Sequence, residues 1–84
     1  MDTALTPKDL GTLLKNTRKA LGKTQEDVAR ALKTRRQTIA DLEAGKNVGT
    51  HVMFNMLLFL GKGVGITDVR PTVDTIASFL EDDE

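Results

Sequence analysis

Few side chains in this 84-residue chain are equipped for bond-making chemistry. There is no Cys, and His51 is the one His. Disulfides, thiolate metal sites and His metal clusters are therefore excluded, and a nucleophile lacks its usual base. Gly61, Gly63 and Gly65 resemble a phosphate-cradling loop only superficially. They follow a helix and precede a strand, the wrong order for nucleotide binding. No catalytic residue, metal or cofactor is expected. The sequence does offer recognition chemistry. Arg36 and Gln37 are adjacent. An Arg fork matches guanine N7 and O6, and a Gln carboxamide matches adenine N6 and N7, each pair discriminating by roughly 1–3 kcal/mol. If Ile39 and Leu42 mark the inward face of a helix, then Arg36, Gln37, Ala40, Asp41 and Ala44 fall on the outward one. Taken alone, such an Arg-Gln face is more often plain solvated surface. Asp41 has three readings: it accepts from cytosine N4, holds Arg36 or Gln37, or deters wrong sequences.

Helical periodicity supplies the frame for these side chains. Thr6 can cap a first helix with Pro7 at its first position and Asp9 in its first turn. Leu10, Leu13, Leu14, Thr17 and Leu21 form its apolar stripe, and Gly22 ends it. Thr24 caps a second helix, with Glu26 and Asp27 in its first turn and Val28, Ala29 and Leu32 buried. Thr34 is the candidate cap of a third helix that stops at Gly45. The joint between these two is about three residues long, which forces a steep crossing. Ala29 is small enough for the close approach. Thr50 caps a fourth helix that reaches Leu60 and ends at Gly61. Gly63 to Val69 reads as a short strand, Pro71 breaks it, and Thr72 can cap a last helix to about Leu80 with Val73, Ile76 and Ala77 on its stripe. Glu81 to Glu84 is a frayed acidic end.

Charge divides the chain. The 12 basic and 12 acidic side chains cancel. Yet residues 1–47 carry ten basic groups against six acidic ones, and residues 48–84 carry two against six. A basic half beside an acidic half suggests one face for a polyanion and another for something else, although ordinary solvated surface is an equal reading. The three aromatics, Phe54, Phe59 and Phe79, all lie in the acidic half. Single-strand and RNA readers stack bases on aromatics, so the basic half favours duplex DNA. No apolar run reaches the ~20 residues of a membrane span and no signal-peptide pattern opens the chain, so a cytoplasmic location without membrane contact is expected.

The ordered set Thr24-Gln25 to Ala29, then Thr38-Ile39, then Leu42-Glu43 to Gly45-Lys46 resembles the helix-turn-helix of the phage repressor/Cro-type (XRE) family. The resemblance extends upstream to Arg18 and Leu21-Gly22. The combination is specific, whereas any single piece would be weak. It implies an all-α, compact lambda-repressor-like helix-turn-helix domain of four to five helices. It places base contacts at Arg36, Gln37 and the nearby outward positions Ala40 and Asp41. It places phosphate contacts at Gln25, Lys46 and Asn47; Thr24 beside Gln25, and Arg35 near the turn, are expected to add to them. The start of the second helix independently suits an anion near Gln25. Arg18 lies beside the first helix's stripe and Glu43 borders the third helix's core face. The family implies an ion pair between them, structural in role. One position departs from the pattern: Lys33 stands where the family usually has Gly at a positive-φ turn, at a cost of about 1 kcal/mol. Lys23 and Lys33 read as solubilising charge.

Val52 to Leu60 is apolar at eight of nine positions. A helix apolar all round must be covered all round. The first three helices can cover one face, and a second copy is the simplest cover for the other. The strand finds no partner elsewhere in the chain, so it is expected to pair across a homodimer axis. Phe54, Leu57, Leu58, Val64 and Ile66 are the expected dimer residues. The fourth helix followed by Gly61-Lys62-Gly63-Val64-Gly65-Ile66-Thr67 looks like the HipB-like antitoxin branch, which implies a toxin protein as a further partner. Residues 1–61 are read as the DNA-binding domain with its dimerising fourth helix, and 62–84 as a strand and acidic tail that assist dimerisation. The expected function is a sequence-specific duplex-DNA-binding regulator, a repressor acting as a homodimer on a palindromic operator. The alternatives are a DNA-binding antitoxin, or a protein-interaction module without DNA binding.

Overall fold

The computed structural model describes residues 3–69. Four helices run in order: α1, Pro7–Ala20; α2, Gln25–Ala31; α3, Arg36–Glu43; and α4, Thr50–Phe59. Two starts follow the expected chemistry. The Thr6 hydroxyl accepts from the Asp9 N–H with Pro7 inside the first turn. Thr24 and Asp27 form a reciprocal capping box, each side chain accepting from the other residue's backbone N–H. The other two starts lie elsewhere than expected. The N-cap of α3 is Arg35, not Thr34, and the N-cap of α4 is Gly49, not Thr50; neither has a side-chain cap.

The displaced cap of α3 has a physical cause in the way α2 ends. Lys33 takes φ 55, and its N–H donates to the Arg30 carbonyl while Thr34 N–H donates to that of Ala29. This is a complete Schellman turn, which uses both residues to satisfy the last carbonyls of α2. Thr34 is the second residue of that turn, and α3 begins one residue later, at Arg35. The same turn closes the other helices, with Gly22-Lys23, Gly45-Lys46 and Gly61-Lys62 in the two positions. Lys33 therefore adopts the left-handed conformation expected at the family's usual glycine.

The core gathers Leu14 from α1, Val28 and Ala29 from α2, Ile39 and Leu42 from α3, and Met56, Leu57 and Leu60 from α4 and its cap. Helix α3 packs against both α1 and α2. Gly11 makes the first contact close: a Cβ there would meet the Glu43 carbonyl oxygen and come within 2.7 Å of Leu42 O. Both are backbone atoms and cannot rotate aside. The covered side of α4 is the one holding Met56 and Leu57. Phe54, Leu58 and Phe59 stay exposed, with Leu58 at 71%. Leu57, expected at a dimer surface, is instead buried in the chain's own core at 5%.

Among the described residues there is no strand, and Gly63 to Val69 is irregular. A strand alone has no ladder to bond to; the pairing expected from the sequence was with a second copy. The helix expected over 72–80 lies outside the described residues. No helix among them is long and apolar enough to cross a membrane.

Candidate nucleic-acid interface

A buried polar network sets the relation between the three helices at the site. Arg18 of α1 faces Glu43 at the end of α3: Nε donates to Oε2 at 2.6 Å and an Nη to Oε1 at 3.0 Å. The two side chains retain 7% and 3% of their exposure. The remaining Nη of Arg18 donates to the Lys23 carbonyl at 2.8 Å, in the turn before α2. Gln25 Nε2 adds a bond to Glu43 Oε1 at 3.0 Å. The ion pair implied by the family resemblance is present. The third arm through Gln25 was not legible from the sequence, because spacing does not reveal which outward amide reaches across to a neighbouring helix. No buried side-chain polar atom among the described residues lacks a partner, which is the condition under which such a network rigidifies rather than destabilises.

This bracing presents one end of α2 and one face of α3 together. Arg36 flanks a shallow open concavity with Thr24, Gln25, Glu26 and Arg18. Arg36 and Gln37 occupy the first turn of α3 and are exposed. Arg35, just before them, and Lys46 and Asn47, just after the helix, are exposed as well. Ala40 is half-buried beside the core residue Ile39. The first turn of α3 is therefore flanked by cationic side chains before and after it.

Asp41 is half-buried and engaged. Gln37 Nε2 donates to its Oδ1 at 2.9 Å, one helical turn away. Lys46 Nζ lies 3.9 Å from the same oxygen. Of the three sequence readings of Asp41, the free protein shows it holding Gln37. At the start of α2, the Thr24 backbone N–H and then its hydroxyl hold the Asp27 carboxyl below the ordinary carboxylate range. His51 is exposed at the start of α4, and among the described residues no group of His, Asp and Glu could hold a metal ion.

Comparison with known proteins agrees with this fold. The family model described as helix-turn-helix matches residues 14–66. Among solved structures, a HipB variant in complex with an O2 20mer superposes with a TM-score of 0.76 at 22% identity, over 83% of this chain and 99% of that one. A structure named MDT Protein gives a TM-score of 0.76 at 22% identity, over 83% of this chain and 100% of that one. A comparison with curated proteins gives no match.

Proposed function

The chain belongs to the XRE-type helix-turn-helix family, a family of DNA-binding regulators rather than enzymes, and from that premise we propose that it is a sequence-specific reader of duplex DNA. The observation that carries this is the exposed Arg36–Gln37 pair at the start of a helix locked to its neighbours by the Arg18–Glu43–Gln25 network. Helix α3 lies in the major groove with Arg36 on guanine and Gln37 on adenine. Ala40 provides close apolar contact on the same face. Thr24, Gln25, Arg35, Lys46 and Asn47 grip phosphates on either side and set the register. Gln25 keeps a second amide hydrogen for that role after bonding Glu43.

The working unit is a homodimer on a palindromic operator, with half-site centres roughly 34–36 Å apart or a multiple of that. The exposed apolar side chains Phe54, Leu58, Val64 and Ile66 support a second copy as the cover. Repression by occlusion of polymerase, in the cytoplasm, follows. Residues 1–61 bind DNA, and 62–84 assist pairing. A second reading, a DNA-binding antitoxin with a toxin protein as partner, is favoured by the shared fold with HipB.

Selection from a duplex library with a randomised core tests the reading. The wild type is expected to enrich one symmetric motif. Arg36→Ala and Gln37→Ala are each expected to relax one base pair per half-site, by roughly 1–3 kcal/mol. Lys46→Ala weakens binding to all sequences and lowers the salt slope by about one. Unchanged base preference in both recognition variants, or no binding at low salt, overturns the proposal.

A further inference from the structure

We propose that Asp41 is a positioning residue that fixes the specificity of Gln37 by dictating which way round its carboxamide is held. This rests on the DNA-reading function proposed above. The bond from Gln37 Nε2 to Asp41 Oδ1 is 2.9 Å long. An ionised carboxylate only accepts hydrogen bonds. Turning the Gln37 amide over would set its carbonyl oxygen against that carboxylate, so the charge on Asp41 forbids the flip. One of the two amide hydrogens is committed to Asp41. The other, with Oε1, remains as an acceptor–donor edge.

That edge is the one adenine requires, because its major-groove face offers the N6 donor and the N7 acceptor. Guanine presents two acceptors, N7 and O6. Reading it would take both amide hydrogens, and one is already in use. Asp41 thereby commits Gln37 to adenine before any DNA arrives.

Asp41 is itself held in place. Its backbone carbonyl accepts from Lys46 N–H at 2.9 Å in the turn that closes α3, and Lys46 Nζ stands 3.9 Å from the same Oδ1 that takes the Gln37 bond. The base-reading and phosphate-gripping groups thus share one carboxylate.

The test compares wild type, Asp41→Ala, Asp41→Asn and Asp41→Glu by selection from the randomised duplex library, with Gln37→Ala marking the base pair that Gln37 reads. Asp41→Asn is nearly the same shape but can donate as well as accept, so it no longer forbids the flip. Asp41→Ala and Asp41→Asn are expected to lose roughly five- to hundredfold adenine discrimination at that pair, while binding to unrelated duplex holds or tightens as Lys46 is released. Asp41→Glu retains the preference. In the Gln37→Ala background, Asp41→Ala adds nothing at that pair.

In the free protein, 15N relaxation of the Gln37 side-chain amide is expected to show order in wild type and averaging in Asp41→Ala. Wild-type preference kept in both Asp41→Ala and Asp41→Asn overturns the inference and leaves the DNA-reading function standing. So does a loss at a different base pair, which would make Asp41 a direct base reader. A wild type that selects no motif removes both.

Discussion

Glu43 accepts three hydrogen bonds, two from Arg18 and one from Gln25, with its side chain almost wholly buried. A carboxylate so placed is stabilising only while its partners remain, because the cost of removing each charge from water is several kcal/mol. Glu43→Ala leaves the Arg18 guanidinium buried with only the Lys23 carbonyl and is expected to cost about 3–5 kcal/mol, measured by urea unfolding. Replacing both partners with Leu is expected to cost less than removing Glu43 alone, since no uncompensated charge is left behind. A double variant no more stable than Glu43→Ala would show that the pair contributes by more than mutual compensation. Arg18 also shows why charge by itself is a poor guide to ligands. It borders the concavity beside α2 yet spends its donors inside the protein.

Helix ends carry much of the specification of this domain. Among the described residues, four Schellman turns close four helices, and Lys33 at φ 55 is the one non-glycine at the left-handed position. A Cβ there is strained by about 1–2 kcal/mol, partly offset by the greater freedom that Gly has in the unfolded chain. Lys33→Gly is therefore expected to stabilise by roughly 0.5–1 kcal/mol, which raises Tm by a few degrees in a domain of this size. A thermal melt that falls on this substitution would mean that the lysine side chain contributes more than its backbone costs.

The start of α2 makes stability depend on acid. The Asp27 carboxyl is held below its ordinary value, first by the Thr24 backbone N–H and then by the Thr24 hydroxyl. A depressed folded-state value means the carboxylate form is favoured by folding. Its contribution is present above the unfolded carboxylate range and is lost as pH falls through the depressed value. Asp27→Asn is expected to be less stable at neutral pH and to show a shallower acid-side decline. Parallel acid titrations of the two proteins' stability check this, and parallel curves of equal slope would contradict it.

At the level of the molecule, α4 has two kinds of apolar residue that the sequence cannot separate. Leu57 is buried in the core, while its neighbour Leu58 is 71% exposed. Leu58→Glu is expected to leave the helical content intact and shift the proposed dimer towards monomer, read by sedimentation. It should also weaken binding to a two-half-site duplex far more than to a single half-site. Leu57→Ala is expected instead to cost about 2–5 kcal/mol of folding stability. A Leu58→Glu protein that unfolds, or that sediments as wild type, would argue against this face as the self-association surface.

Among the described residues, local chemistry determined which segments are helical, because periodicity, Thr caps and Gly stops act within a few residues of one another. It also determined that Gln37 and Asp41 are neighbours on the surface of α3, since residues four apart on a helix lie one turn above one another. The helix starts at 35 and 49 were less legible. Thr34 lies one residue before its helix's cap and Thr50 one residue after, and spacing alone does not decide which residue takes the cap. The close contact at Gly11, the Gln25–Glu43 bond and the division between Leu57 and Leu58 were decided by tertiary packing alone. Each depends on how two elements distant in the chain approach, and residue type and spacing hold no record of that distance.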